Sequence, residues 1–338
     1  MRGFYRNDQR IEWSGVEATI GAEGVLAPAV RMTQKGWTVG AAGEFFLNQR
    51  FGASILSDDQ RDIYRANFEI DPFEVFQLYC LLERGDFQLR FGKIRTPFGN
   101  YPSPSYSNQR IDAPFQRTDV IGFTETGLFV GYNPGWLRID AGVINGEPNL
   151  DTNSSKGALA RIGAEGDWGG AGLSGKIHDG VASEQQKRFN NVYGLDAHLK
   201  SGGFTLYSEA IYEEHGFHSP DYNRYVNPLL FGVRSLYGRD AFSGVEDRPI
   251  KGYGSYLGVL YEADHFLIDL NYGVQFPQTI GDPQHDLTIH RFVGKLDFAL
   301  TPNLHLFTVG ILENQRPELI PHRPSSPFAI ITGMQFVF

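Results

Sequence analysis

Charged side chains recur at every second position in several short segments whose other positions are apolar. Arg138 and Asp140, for example, alternate with Leu137 and Ile139. Alternate side chains of a β-strand lie on opposite faces, so this spacing puts the charges of each segment on one face. The basic residues placed there are Arg90, Arg138, Arg161, Lys176, Lys200, Arg291 and Lys295, and the acidic ones are Glu44, Glu83, Glu125, Asp140, Glu165, Asp196, Glu209, Glu262, Asp269 and Asp297. Charges this frequent are costly to bury unpaired, so we expect this face to contact water and to attract ions.

A second group of charges lies in and beside the segment 97–124, which is rich in Pro, Ser and aromatic residues. Its members are Arg95, Arg110, Asp112 and Arg117. If the segment folds back onto the charged face, opposed arginine and aspartate side chains would set an electric field across a narrow opening. If it lies outside the strands, the same charges are merely solvated. The sequence leaves both arrangements open.

No sequence pattern predicts catalysis. The chain lacks G-x-S-x-G, H-E-x-x-H and P-loop motifs. Glu213, Glu214, His215 and His218 include types that bind metals, but they open a long loop, where polar residues are ordinary. Cys80 is the single cysteine, which excludes a disulfide framework and a cysteine metal cluster. We therefore expect no enzyme, no metal and no cofactor.

Length, charge and hydropathy narrow the fold. The chain has 338 residues and a net charge of −9 with no basic cluster, which argues against nucleic-acid binding. No apolar run reaches the roughly 18 residues of a transmembrane helix. If the chain crosses a membrane, it must do so as a closed barrel, because lipid cannot satisfy open backbone. No linker or composition shift divides residues 1–338, which we expect to form one domain.

The segments with alternating apolar residues are joined by links that are short and long in turn. The short links are 84–86, 133–135, 167–170, 201–202, 263–265 and 301–302, and each is built from turn residues such as Gly, Pro, Asn and Asp. The long links are about 48–72, 97–124, 146–156, 179–189, 214–251, 276–285 and 313–327. This alternation predicts an up-and-down antiparallel β-barrel with tight turns at one rim and long loops at the other.

Fifteen strands can be placed directly. They cover about 24–32, 36–47, 73–83, 87–96, 125–132, 136–145, 157–166, 171–178, 190–200, 203–213, 252–262, 266–275, 286–300, 303–312 and 328–338. If both chain ends lie at the same rim, the number of strands is even. We therefore expect one more strand over about 11–21 and a membrane-spanning barrel of about sixteen strands.

The last predicted strand has an unbroken apolar row. The row consists of Phe328, Ile330, Thr332, Met334, Phe336 and Phe338. Its length of about ten residues suits a tilted strand that crosses the hydrocarbon layer. Phe336 and Phe338 resemble the C-terminal membrane-insertion signal of bacterial outer-membrane barrels. The first residues lack the apolar core of an export signal, so for an exported protein we expect that signal to have been removed from this numbering.

Three stretches resemble the phosphate-selective porin O and P family of Gram-negative outer membranes. They are Phe87–Gly99 with its Lys93-x-Arg95-x-Pro97-Phe98-Gly99 ending, Glu125–Gly131, and Gly142–Asn149 followed by Lys156 and Arg161. The resemblance implies a sixteen-stranded porin that forms a homotrimer. It does not carry phosphate selectivity, because that family's lumen is rich in Arg and Lys, whereas the face assigned here is mildly acidic. We expect weak selectivity, or a bias toward cations or neutral solutes.

The expected function is passive diffusion of small hydrophilic solutes or ions through a water-filled barrel in the bacterial outer membrane. Membrane lipid, lipopolysaccharide and the barrel-insertion machinery are the expected partners. Two alternatives stay open at this point. The barrel could serve as a scaffold or sheath for a partner such as an electron-transfer protein, or it could carry an active site assembled only in space.

Overall fold

The computed structural model describes residues 1–8, 18–51, 73–100, 124–145, 156–183, 186–215, 250–277, 288–314 and 328–336. Every regular element in these ranges is a β-strand. The strands are β1 (Arg2–Asp8), β2 (Ala18–Leu26), β3 (Ala29–Gln34), β4 (Trp37–Phe51), β5 (Phe73–Arg84), β6 (Phe87–Arg95), β7 (Thr124–Tyr132), β8 (Leu137–Ile144), β9 (Gly157–Gly166), β10 (Gly169–Ser183), β11 (Gln186–Ser201), β12 (Phe204–His215), β13 (Ile250–Glu262), β14 (Phe266–Pro277), β15 (Ile289–Thr301), β16 (Leu304–Asn314) and β17 (Phe328–Phe336). No helix in these ranges is long and apolar enough to cross a membrane.

The strands form one antiparallel sheet in which neighbours in sequence are neighbours in space. β2 and β3 both pair with β4, β2 along its second half and β3 along its first, so the seventeen strands fill sixteen positions. β1 pairs with β2 on one side and with β17 on the other, and these ladders join the two ends of the sheet. The predicted all-β, up-and-down barrel of about sixteen strands is confirmed.

Two predicted segments differ from the structure near the amino terminus. The additional strand is β1 at Arg2–Asp8, not 11–21; of that range, residues 18–21 belong to β2 and residues 11–17 lie outside the described residues. The strand predicted over 24–32 is divided at Ala27 and Pro28. Proline has no backbone N–H to give to a ladder, which explains the interruption there.

The long link predicted over 179–189 is also wrong. β10 continues to Ser183 and β11 begins at Gln186, with a register shift between Val181 and Ser183. The polar residues of this stretch led to the loop prediction. Strands that extend beyond a membrane can carry such residues on both faces, so polarity alone does not end a strand.

Short turns gather at one end of the barrel, which we call the turn rim. The turn between β3 and β4 consists of Lys35 and Gly36, with φ angles of 52° and 77°. Two consecutive residues with positive φ are the signature of the hairpin turn whose twist matches that of paired strands. Gly85, with φ of 56°, has the same role between β5 and β6.

The two faces of the sheet differ in chemistry. Apolar side chains of the outer face are exposed, among them Phe91 at 66% and Ile162 at 51%, while their sequence neighbours on the inner face are half-buried or buried. In β17 the predicted row is exposed from Phe328 to Phe336, and Phe338 lies outside the described residues. A water-soluble protein would hide an apolar surface of this extent, so the outer face is built for lipid.

Aromatic side chains border the outer face at both ends of the strands. Tyr212 lies between Tyr193 and Tyr253 at ring-centroid distances of 6.5 and 4.9 Å. At the turn rim Phe204 contacts Tyr261 at 4.4 Å. Phe204 and Tyr212 both lie on β12, about 26 Å apart along the strand at a rise of about 3.3 Å per residue. This separation is comparable with the apolar band of about 25 Å found in outer-membrane barrels.

Candidate functional site

The register of the sheet brings the predicted charged residues together on the inner face. Directly paired residues of antiparallel strands point to the same side, and Asp140 pairs with Arg161 while Asp269 pairs with Lys295. Arg161 also pairs with Ser174 on β10, whose inner face continues with Lys176. The register therefore groups charges of neighbouring strands on the inner face.

Arg161 is the centre of a buried cluster. Its Nη2 donates to Oδ1 of Asp196 at 2.7 Å and its Nε donates to Oδ2 at 3.2 Å, which is the bidentate geometry of strong arginine–carboxylate pairs. A further N–H of Nη2 reaches Oε1 of Glu165 at 3.1 Å. Arg161 and Asp196 are each only 1% exposed, so the pair is shielded from water.

A glycine on the strand between them makes this pair possible. Arg161 lies on β9 and Asp196 on β11, and Gly172 of β10 pairs directly with Asp196. A Cβ atom at Gly172 would lie 2.7 Å from Nη2 of Arg161 and 2.9 Å from Oδ2 of Asp196. Any side chain at this position would displace the ion pair, so the missing side chain creates its space.

Other charges of the inner face are also buried and paired. Lys176 of β10 bonds Glu125 of β7, and both side chains are less than 10% exposed. Nζ of Lys295 lies 3.2 Å from Oδ2 of Asp269. Arg291 Nη2 lies 2.7 Å from Oε1 of Glu313 on the neighbouring strand β16.

The expectation that these charges lie in water is therefore wrong for the buried members. The buried basic members each have a partner of opposite sign, which offsets the cost of removing them from water. Buried Glu209 accepts a hydrogen bond from the hydroxyl of Tyr256 at 2.7 Å. The partners come from strands far apart in sequence, and this is why sequence alone pointed to solvent. Three other charged side chains do contact water. Their exposed fractions are 43% for Arg138, 24% for Glu165 and 17% for Arg90.

The chain leaves β6 along the inner face rather than away from it. The N–H of Gly99 donates to Oγ of Ser174 on β10 at 2.9 Å. Asn100 Nδ2 lies 3.2 Å from Nδ1 of His198 on β11. The side chain of Phe98 is 1% exposed, and its ring occupies the space that a side chain at Gly194 of β11 would need. We call Thr96–Asn100 the latch, because it joins the end of β6 to strands four and five places away.

The predicted constriction residues are described only in part. Arg95 is 67% exposed, its Nη2 lies 3.4 Å from Oε1 of Glu44, and its guanidinium lies over the ring of Phe76 at 5.5 Å. Arg110, Asp112 and Arg117 lie outside the described residues.

Sequence reasoning did not single out several residues that build this surface. They are Gly172, Ser174, His198, Asn100, Glu313, and the tyrosines Tyr207 and Tyr256, whose hydroxyls donate to Asp269 and Glu209. Glu313 could have been found, because it continues the alternation of β16 one step beyond the predicted end. The latch contacts have no signal in the sequence. Among the described residues, no group of three or more His, Cys, Asp or Glu side chains is placed to hold a metal ion.

A closed sheet with an apolar outer face and a charged inner face defines a transmembrane barrel of the outer-membrane porin type. The barrel superposes with a TM-score of 0.62 on the outer membrane channel DcaP of Acinetobacter baumannii, at 12% identity over 99% of this chain and 95% of that one. An anion-selective porin from Comamonas acidovorans gives a TM-score of 0.59 at 12% identity, over 100% of this chain and 96% of the other. The trimer form of OmpT from Vibrio cholerae gives 0.61 at 12% identity, over 100% and 97%.

No protein-family model and no curated protein matches the chain. The fold of the porins is therefore shown, while the narrower resemblance to the phosphate-selective family has no matching family model behind it. At identities of 12% these likenesses describe the barrel and not its solute.

Proposed function

We propose that the protein is a porin of the Gram-negative outer membrane, a non-enzymatic channel for passive diffusion of small hydrophilic solutes or ions. Residues 1–338 form its single barrel domain. The observation that carries the proposal is the contrast between the two faces of one ring of strands, apolar and exposed outside, charged inside. A barrel that only anchored a partner in the membrane would have no need for a charged inner face.

The arrangement of charges favours weak selectivity. Cations and anions alternate along the inner face in pairs, as in Arg161–Asp196 and Lys176–Glu125. Paired charges cancel at distances longer than their separation, so they leave little field to reject either sign. The water-contacting groups also carry both signs, since Arg90 and Arg138 are basic and Glu165 is acidic. With a chain charge of −9, the net preference is neutral or slightly toward cations.

The pore-lining residues predicted from the sequence divide into two groups in this proposal. Arg90, Arg138 and Glu165 contact the water of the pore. The others form buried ion pairs that support the wall behind them, and they are Glu125, Arg161, Lys176, Asp269, Arg291 and Lys295. The segment 97–124 folds into the barrel and narrows it, with Arg95, Arg110, Asp112 and Arg117 at the constriction. The latch supports this, because Gly99 and Asn100 already contact β10 and β11 on the inner face, four and five strands away.

The remaining partners follow from the same proposal. The barrel assembles as a homotrimer, which is supported by the trimer form of a structural neighbour. Lipid and lipopolysaccharide cover the outer face, and the barrel-insertion machinery recognises the strand that ends in Phe336 and Phe338.

The test is single-channel conductance of the purified protein in planar lipid bilayers, with the reversal potential measured under a salt gradient. We expect discrete steps and a cation-to-anion permeability ratio within about threefold of unity. The matched control is the same preparation after thermal unfolding, which must give no steps. A folded barrel that stays silent would overturn the channel proposal, and strong anion preference would overturn the account of its selectivity.

A further inference from the structure

A polar cavity opens on the inner face at the turn rim of β5–β8. Its volume is about 450 Å³, which is within the range of small-ligand pockets. Its lining includes Glu83, Gln88, Arg90, Arg138 and Asp140. Gly131 of β7 forms the floor between β6 and β8, since a Cβ there would lie 3.3 Å from Oδ1 of Asp140 and 3.6 Å from Cβ of Gln88. The cavity is thus a gap in the row of inner side chains, at the mouth of the barrel.

The charge balance at one end of the cavity is positive. Asp140 accepts from Nη2 of Arg90 at 2.8 Å and from Nε of Arg138 at 2.9 Å. One carboxylate thus faces two guanidinium groups, and both of its oxygens are occupied. A guanidinium has five N–H donors, so each arginine has several left for another acceptor.

Both arginines have donors available to the cavity. The side chain of Arg138 is 43% exposed, and its Nη groups are not needed for the bond to Asp140. The side chain of Arg90 is 17% exposed, and it bonds Asp140 through one N–H of Nη2. Its other Nη donors therefore remain for a ligand oxygen.

Two other acidic groups line the cavity, Glu83 and Asp86, and Asp86 lies in the exposed turn between β5 and β6. Glu83 lies on β5, three strands from Asp140 on β8, and accepts a hydrogen bond from Nε2 of Gln88. Nη1 of Arg31 lies 3.8 Å from the other oxygen of Glu83. The third arginine of the lining, Arg84, places its guanidinium 4.8 Å from the centre of the Trp37 ring. The N–H donors that remain in the cavity therefore belong to Arg138 and Arg90, and they suit a negatively charged acceptor.

We propose that this cavity binds a small oxyanion, a carboxylate or a phosphate, between Arg138 and Arg90. The two guanidinium groups offer parallel N–H donors, which match the paired oxygens of either group. The site goes beyond the proposed channel function, because binding here does not require conduction. It provides a local anion site in a chain whose net charge is −9.

The test is isothermal titration calorimetry of the full chain, folded in detergent, with sodium succinate in one arm and inorganic phosphate in the other, at fixed sodium chloride. We expect saturable binding of at least one anion, and the arm that binds identifies the class of oxyanion. Arg138→Gln should weaken that binding about tenfold or more, since it removes a charge-assisted contact. Asp140→Asn should tighten it, because it removes the competing carboxylate.

The matched control is Lys200→Gln, which removes an exposed inner-face charge outside the cavity. It should leave the affinity within about twofold. Equal weakening by Lys200→Gln and Arg138→Gln would overturn the site in favour of general charge attraction, and so would the absence of saturable binding in both arms. A barrel that binds the anion but shows no conductance would contradict only the proposed channel function. A barrel that conducts but does not bind the anion would contradict only the proposed oxyanion site.

Discussion

Two regions of the inner face have the same strand geometry and opposite chemistry. On β9–β11 the inner face is a charged sector, built around Arg161, Asp196 and Glu165. On β15–β17 it includes an apolar sector, whose members are Val293, Phe307, Val309, Ile311, Ala329 and Ile331, all at most 4% exposed. The alternation of residues determines which side chains share a face, but it does not determine what that face is made of.

The two sectors also differ in what stabilises them. The apolar sector needs only contact among its members, because burial of apolar area is favourable whatever the partner. The charged sector needs specific partners at hydrogen-bonding distance, since a buried charge without its partner is strongly unfavourable. The charged sector is therefore the more sensitive of the two to single substitutions.

The largest effect is expected for Arg161→Met. It leaves the carboxylate of Asp196 buried without its cation, at a cost of about 3–5 kcal/mol in the free energy of unfolding. The measurement is urea-induced unfolding of barrels folded into lipid vesicles, followed by tryptophan fluorescence. Lys200→Met removes an exposed cation of the same face and is the control. Equal stability of the two variants would mean that the charged sector is hydrated.

A smaller loss of free energy of unfolding is expected for Gly172→Ala. The new methyl group would lie within 3 Å of both members of the Arg161–Asp196 pair and force them apart, at about 1–3 kcal/mol. Gly310→Ala on β16 is the matched control, because no atom lies within 4 Å of its Cβ position. The same unfolding assay compares them. If both alanine variants lose stability equally, strand flexibility rather than the ion pair is responsible.

The apolar sector is tested by Val309→Thr, which keeps the shape of the side chain and adds a hydroxyl. Val309 is fully buried, so the hydroxyl should cost about 1–2 kcal/mol in the free energy of unfolding. Chemical denaturation measures it. A threonine variant as stable as the parent would show that water reaches this sector, and the contrast between the two regions would disappear.

The smallest effect is expected for Ser174→Ala, which removes the acceptor of the Gly99 N–H. A hydrogen bond of this kind contributes about 1 kcal/mol, so the latch should open roughly fivefold more often. Hydrogen–deuterium exchange of the peptide containing Thr96–Asn100 measures this opening. Exchange in β9 should stay unchanged, and faster exchange in both would indicate a general loosening of the wall.

Much of the fold follows from local patterns in the sequence. Alternation placed most of the strands, and turn residues such as Gly85 placed the hairpins, because both depend on neighbours within a few positions. β1 was missed because its seven residues contain Arg2, Arg6, Asn7 and Asp8, which hide any apolar row. The extension of β10 to Ser183 was missed for the same reason.

For the inner surface, the sequence predicts which side chains share a face but not which of them contact each other. Alternation put Arg161 and Asp196 on the same side, but it could not pair them, since they are 35 residues apart and separated by a strand. The role of Gly172 appears only once that pair exists. The latch depends on contacts between Thr96–Asn100 and residues about 75 to 98 positions later, for which no local rule applies.

The junction between β1 and β17 has a consequence for the order of folding. The amine of Met1 donates to the carbonyl of Phe336 at 2.8 Å, and the N–H of Phe336 returns a bond to the carbonyl of Met1 at 2.7 Å. Nearly all other ladders join neighbours in sequence and can form as fast local hairpins, whereas this one must close a loop of 335 residues. Until it closes, β1 and β17 are bare edges that can pair with other chains. We therefore expect ring closure to be the slowest step of assembly, during which aggregation competes with it.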